Sequence, residues 1–334
     1  MSILITGATG FVGSQVLDQL LERGEHVRVL ALPDTLDRLR DRGRVDIVVG
    51  SLGDPDALAT ATRDVSVVYH LAAIHLSALR AVANPRDLKE VNVDGTERLL
   101  CACVANQVRR IVFTSSVAVY NAAPSPSMWP IGETFPLRTS GETNLRNYAL
   151  SKIEAETLIR RAHQEHGLEA IVLRCAAVYG PGAPWVERFL QALAVNPWSA
   201  LTAAGRFACN QWIHRGDLAR AVVLGGTQAA LKYELCNVAG PELFSSRDLL
   251  AALSRALRQG RWRHQFMPDL ERTARYAYRY DVTRALARLG FAPQIRLDAG
   301  IAEIVASMSP RPAIAAPPRM GIGEQSTMAD VELF

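Results

Sequence analysis

Residues Thr6-Gly7-Ala8-Thr9-Gly10-Phe11-Val12-Gly13 constrain this chain more than any other stretch. They follow a short apolar run, Ile3–Ile5, and open a helical pattern over 11–23. There Val12, Val16 and Leu20 recur at i, i+4 spacing, with Leu17 and Leu21 beside them. A phosphate pair that docks on backbone N–H groups at a helix N-terminus needs such a turn. A side chain there would block the approach, a Cβ would resist positive φ, and the third glycine lets the helix lie close on the strand. The spacing is GxxGxxG rather than GxGxxG, and an ordinary strand–helix turn can also hold three glycines. Its place between a strand and an amphipathic helix favours a dinucleotide turn. Gly7, Gly10, Phe11, Val12 and Gly13 are therefore the expected cofactor contacts.

Apolar runs and helical patterns go on alternating. Residues 27–32, 46–49, 65–71, 110–114 and 169–173 read as strands, and 35–42, 56–62, 87–106 and 148–166 as helices. Gly24 marks the end of the first helix. Continuous apolar strands between helices predict an α/β fold, a doubly wound parallel sheet covered on both faces. The pattern loosens after Arg174, where Pro181, Gly182, Pro184, Pro197 and Gly205 leave room for one short helix near 185–194. A helix over 217–228 and a strand over 234–238 follow, then helices over 246–258, 281–289 and 298–308. The expected division is a dinucleotide-binding domain of 1–174 and 213–239 and a smaller C-terminal substrate lobe of 175–212 and 240–309. The tail, 310–334, reads as disordered, with prolines at 310, 312, 317 and 318.

Composition excludes several functions. The net charge is +4 over 334 residues, and the arginines are interleaved with acids, so no basic stripe invites nucleic acid. Lysines are few, at 89, 152 and 232. Five scattered cysteines, at 101, 103, 175, 209 and 236, read as reduced packing residues and not as a disulfide frame or metal site. No apolar run approaches the roughly 18 residues of a membrane span. No basic segment or cleavage site precedes Ser2-Ile3-Leu4, so a cytoplasmic protein without a membrane partner is expected.

Chemistry enters with Tyr148-Ala149-Leu150-Ser151-Lys152, read as the opening of a helix. At i, i+4 the phenol and the ammonium share a face. A free tyrosine, with a pKa of about 10, is a poor base at neutral pH, and a neighbouring ammonium is expected to lower that value. The pair can then exchange the proton of a carbinol while hydride moves to or from a nicotinamide. Phe113-Thr114-Ser115-Ser116 offers hydroxyls at a strand end to orient the substrate oxygen. Cofactor choice should be read at the end of the second strand, where an acid binds ribose hydroxyls and an arginine a 2′-phosphate. Leu30-Ala31-Leu32-Pro33-Asp34 has neither in the usual place. Asp34 could reach the ribose and Arg38 or Arg40 a phosphate, and the balance between NAD and NADP tips to NAD.

These motifs resemble the extended short-chain dehydrogenases, the NAD-dependent epimerase/dehydratase family, over about residues 1–309. The similarity rests on Thr6–Gly13, on Val68-Tyr69-His70-Leu71-Ala72-Ala73, on Val91-Asn92-Val93-Asp94-Gly95-Thr96 and on Thr114-Ser115-Ser116-Val117-Ala118-Val119-Tyr120. It extends to Arg174, Tyr179-Gly180-Pro181-Gly182 and Trp212-Ile213-His214-Arg215-Gly216-Asp217-Leu218-Ala219. The resemblance implies a Rossmann domain, a bound NAD or NADP and a catalytic Ser116/Tyr148/Lys152 set. Tyr148 would be the acid/base, Lys152 would hold the ribose and tune Tyr148, and Ser116 would orient the substrate oxygen. Leu71, Ala72, Ala73 and Thr114 would line the cofactor, with Asn92 structural or near it.

Departures accompany the match. An acid often follows the third strand in the family; here Gly50-Ser51-Leu52 leaves Leu52 at the cofactor. Nucleotide-sugar members often place an asparagine after strand six and an arginine before the last motif. Here Ala177 and Cys209-Asn210-Gln211 stand nearest, with Arg188 or Arg206 as substitutes. The leading expectation is therefore a reductase or dehydrogenase of a small-molecule ketone or secondary alcohol. Open alternatives are a nucleotide-sugar epimerase, dehydratase or ketoreductase, and a non-catalytic dinucleotide sensor. The family resemblance also implies a homodimer. Trp185, Phe189, Trp198, Phe207 and Trp212 either pack between lobes or form an apolar wall for a ring-shaped substrate.

Overall fold

The computed structural model describes residues 2–40, 42–43, 45–75, 85–122, 125–126, 129–141, 143–183, 209–256 and 276–308. The helix expected near 185–194, Arg188, Arg206, four of the five aromatics and the tail from 310 lie outside them.

Twelve strands are found among the described residues. In chain order they are β1 (Ser2–Thr6), β2 (His26–Ala31), β3 (Val45–Val49), β4 (Val65–His70), β5 (Arg110–Ser116), β6 (Ser125–Pro126), β7 (Glu169–Cys175), β8 (Val178–Tyr179), β9 (Cys209–Asn210), β10 (Ile213–His214), β11 (Tyr233–Val238) and β12 (Tyr276–Tyr278). Seven form one parallel sheet in the order β11-β7-β5-β4-β1-β2-β3. This is the doubly wound Rossmann arrangement. Strand order reverses between β1 and its neighbours β2 and β4, so a crevice opens beyond their carboxyl ends, where such folds take ligands.

Both faces are covered because the central strands are apolar throughout; every residue of β7 is buried. One face packs on α1 (Gly13–Glu22) through Val16, Leu17 and Leu20, and on α5 (Arg215–Thr227) through Leu218, Val222 and Val223. The other face packs on α2 (Pro55–Thr62), α3 (Gly95–Ala105) and α4 (Thr143–His166) through Leu58, Leu99, Ala155 and Ile159. Asp54 caps α2, its Oδ1 accepting from Asp56 and Ala57 N–H, with Pro55 in the first turn. Gly24 ends α1 with φ +75°, as its position in the sequence implies. A third apolar cluster joins Tyr179 and Phe244 to α6 (Ser246–Ala256) and α7 (Leu297–Ser307).

Four helices of the first 174 residues differ from expectation. The first helix starts at Gly13, because residues 7–12 form the turn itself. Residues 33–39 form a 3₁₀ turn in place of a helix. The expected helix over 87–106 is broken by a wide π turn at Lys89–Asp94, a distortion common at functional sites. Its Gly95 end packs so closely that a Cβ there would lie 2.8 Å from the Leu52 Cβ. The fourth is α4, which begins five residues before Tyr148, putting the tyrosine in its second turn.

At the sheet's opposite edge Arg110 is wholly buried. It donates to Glu169 and to the carbonyls of Gly225, Gly226 and Leu231, placing a cation at the C-terminus of α5. The thiols of Cys103, Cys175 and Cys236 are free and buried as packing residues, whereas Cys101, expected to pack, is free and exposed. No helix among the described residues is long and apolar enough to cross a membrane.

Candidate active site

The glycine turn is built as the motif implies. Gly7 adopts φ +78°, and a Cβ on it would lie 2.6 Å from the Ala72 nitrogen. A Cβ on Gly13 would lie 2.0 Å from the Gly7 carbonyl oxygen. Both positions therefore exclude any side chain, the first through conformation and contact, the second through helix–strand packing. Gly10, whose N–H donates to the Gly7 oxygen at 3.0 Å, is exposed at the apex. Phe11 and Val12 are half-buried beside it. Leu71 donates its N–H to the Thr6 carbonyl, bringing the Leu71-Ala72-Ala73 segment against the turn. The result is an open backbone cradle at a helix N-terminus, and these residues fit a dinucleotide pyrophosphate.

One hydrogen-bonded chain frames the cradle. Ala72 N–H donates to Thr6 Oγ1 (3.3 Å), and Thr6 meets His70 Nδ1 at 2.7 Å. His70 Nε2 meets Thr96 Oγ1 at 2.9 Å, and Thr96 donates to the Asn92 carbonyl at 2.7 Å. Thr96 has spent its proton on Asn92, so it accepts from His70. His70 therefore carries hydrogen on Nε2 and accepts from Thr6 on Nδ1. Burial, helped by the charge of Lys152, lowers the His70 pKa to about 3, so the ring stays neutral.

Asn92 continues this frame. Its Oδ1 accepts from Ile74 N–H (2.8 Å), and its Nδ2 donates to Ile74 O and to Ser151 Oγ, both at 3.1 Å. Ser151 in turn donates to the Tyr148 carbonyl. Asn92 thus ties the segment after β4 to α4, and its amide is spent inside the protein. Removing it in Asn92→Ala strands those partners and is expected to cost about 2–3 kcal/mol, read as a lower urea midpoint.

Ser116, Tyr148 and Lys152 converge at the carboxyl edge. Ser116 ends β5, accepts from Ala118 N–H at 3.1 Å and is hydrogen-bonded to the Tyr148 hydroxyl. The Tyr148 ring packs against Leu88, Ile74, Ala118 and Leu145, with the His75 ring edge-on at 5.4 Å. Lys152 is buried, donates to the Thr114 carbonyl at 3.0 Å and lies over the Phe113 ring at 4.8 Å. Burial lowers its pKa to about 8.

The expected lowering of Tyr148 is not found. Burial holds its pKa above the ordinary value, against the downward pull of the Ser116 hydrogen bond. The Lys152 ammonium is directed at Thr114, and desolvation of the phenolate outweighs what remains of its field.

Other expected contacts are more peripheral. Asp34 is exposed in the 3₁₀ turn, and Arg38 Nη1 donates to the Thr9 carbonyl at 3.3 Å, against the glycine turn. Leu52 is buried in the cluster with Leu58 and Leu99. Ala177 is exposed and Asn210 half-buried.

Two features escaped the sequence reading. Arg215 lies over the Phe11 ring at 5.5 Å and beside Gly180. Glu156 is buried one turn beyond Lys152, paired with Arg174. The Lys152–Glu156 spacing of four was the available signal for the second.

Comparison with known proteins gives a consistent set. The model of the NAD dependent epimerase/dehydratase family matches residues 3–239. A dTDP-glucose 4,6-dehydratase of Streptomyces griseus is 29% identical, covering 91% of this chain and 93% of that protein. A UDP-glucose 4-epimerase of Mycolicibacterium smegmatis is also 29% identical, covering 91% and 97%. Among solved structures, the UDP-glucuronic acid 4-epimerase of Bacillus cereus in complex with NAD superposes with a TM-score of 0.73. It is 20% identical and covers 92% of this chain and 96% of that one.

Proposed function

This chain belongs to the NAD-dependent epimerase/dehydratase family, and from that premise we propose that it is an NAD-dependent nucleotide-sugar epimerase. One observation carries the choice within the family. Among the described residues, the groups that act on the Tyr148 hydroxyl besides its own burial are Ser116 and Cys175, and neither is a carboxylate. Elimination of water from a sugar calls for an acid and a base beyond the tyrosine; inversion at a carbinol carbon does not. The simple reductase favoured by the sequence rested on the missing asparagine and arginine. Similarity over 91% of the chain to nucleotide-sugar enzymes outweighs those two positions.

In this reading NAD supplies the hydride acceptor and donor. The glycine cradle would hold its pyrophosphate, with Arg215 as the cation beside Phe11, and Lys152 would bind its ribose. Ser116 orients the sugar hydroxyl. Tyr148, in its phenolate form, would take the sugar hydroxyl proton and return it at the end of the turnover. Proton and hydride both come back, so turnover shows no net redox change. The same family resemblance supports a homodimer, to be checked by solution mass.

The test is a thermal-shift titration with uridine and thymidine diphosphates, followed by NMR of UDP-glucose incubated with the NAD-loaded protein. Stabilisation by a nucleotide diphosphate and appearance of an epimer without NADH accumulation are expected. Stabilisation by neither nucleotide would overturn the nucleotide-sugar assignment, and net NADH formation would return the simple dehydrogenase.

A further inference from the structure

We propose that Glu156 is a positioning residue for this reaction: clamped by Ser115 and Arg174, it locks α4 to two strand ends and places a buried anion one helical turn from Lys152. The proposal rests on the reading of Lys152 as the cofactor-side cation. Glu156 is 1% exposed. Its Oε1 accepts from Ser115 Oγ at 2.5 Å and Arg174 Nε at 3.0 Å, and its Oε2 from Arg174 Nη2 at 2.7 Å. Ser115 and Arg174 face each other in the β5–β7 pairing, and the next pair in register is Ser116 and Cys175. The clamp therefore sits one residue behind the substrate-orienting hydroxyl and one turn behind the ammonium.

Arg174 carries the clamp further. Its Nη1 donates to the Tyr120 hydroxyl (3.1 Å) and the Glu133 carbonyl (3.0 Å), and its guanidinium lies 5.0 Å over the Tyr120 ring. Tyr120 donates to Asn237 Oδ1 at 2.6 Å. Both ions are thus satisfied within the fold, which is what makes a buried pair tolerable.

The charge around Lys152 comes from every side. From β4 and the residues after it, His70 and His75 face Lys152, with pKa values lowered to about 3 and about 4, so both are neutral near pH 8. From β7, Cys175 is pushed up to about 12 by burial and is also neutral there. From α4 itself, Tyr148 is held protonated by burial, and Glu156 remains as the anion. Against the burial that lowers Lys152 to about 8, a Cys175 thiolate and Glu156 would both pull upward, and with the thiol neutral near pH 8 the pull is that of Glu156.

The small number of lysines makes the test direct. Protein grown with ¹³Cε-lysine carries three labelled residues, at 89, 152 and 232, and Lys152→Arg assigns the signal of interest. Titration of the full chain, free and with NAD, is expected to give a Lys152 midpoint near 8 in the free protein. Glu156→Gln should move the midpoint down by about half a pH unit or more, and Glu156→Asp should restore most of it. If Glu156→Gln does not fold, Glu156→Gln/Arg174→Gln removes both buried charges and should shift the midpoint in the same direction. An unmoved midpoint in the folded variant, with only a lower melting temperature, would overturn the proposal. No sugar is present, so failure of the epimerase reading leaves this result intact.

Discussion

Replacing Tyr148 by phenylalanine is expected to lower kcat by about 10²–10⁴-fold, the span that a lost general acid–base group covers. The fold and NAD affinity should be retained. The ring sits among Leu88, Ile74, Ala118 and Leu145, which phenylalanine fills equally, and the lost polar contact is the one with Ser116. Because burial holds the tyrosine pKa high, the proton leaves only where the site favours the phenolate, with Ser116 donating and Lys152 charged. Steady-state rates on a turned-over nucleotide sugar, with NAD titrations alongside, make the check. A variant keeping more than a tenth of wild-type kcat would remove Tyr148 from the chemistry.

Gly13→Ala acts on the other half of the site. The new Cβ would stand 2.0 Å from the Gly7 carbonyl oxygen and 2.7 Å from its carbon. Both are backbone atoms, so α1 must move off β1 or the turn must open. Overpacking of this kind costs about 1–3 kcal/mol and, against backbone, belongs at the upper end. The N–H groups of the cradle move with the helix, so NAD affinity is expected to fall tenfold or more, about 1.4 kcal/mol. Calorimetric titration with NAD and a thermal melt read both effects. Wild-type values in both would mean that the helix is not held by that glycine.

Legibility in the sequence followed the range of the interactions. The first strand, the glycine turn and α1 were readable because periodicity and glycine spacing act within twenty residues. The π turn holding Asn92 was not, since it accompanies the close approach of Gly95 to Leu52, about forty residues earlier. The early start of α4 was hidden because Thr143–Arg146 carries little apolar periodicity. The pairing of β12 with β6 and β9 joins segments far apart in the chain, each two or three residues long. Tyr148 and Lys152 were legible as a spacing, but the sign of the tyrosine shift was not, because desolvation depends on tertiary packing.

The chain of hydrogen bonds from Ala72 through Thr6, His70 and Thr96 to Asn92 has a direction, for each hydroxyl both receives and gives. It couples the turn that cradles phosphates to the helix that carries Tyr148. Substitutions along it are therefore not independent. Thr6→Val and Thr96→Val each break the same wire, so the double variant should lose less than the sum of the single losses. The proposed cofactor half and proton-transfer half are then expected to behave as one thermodynamic unit.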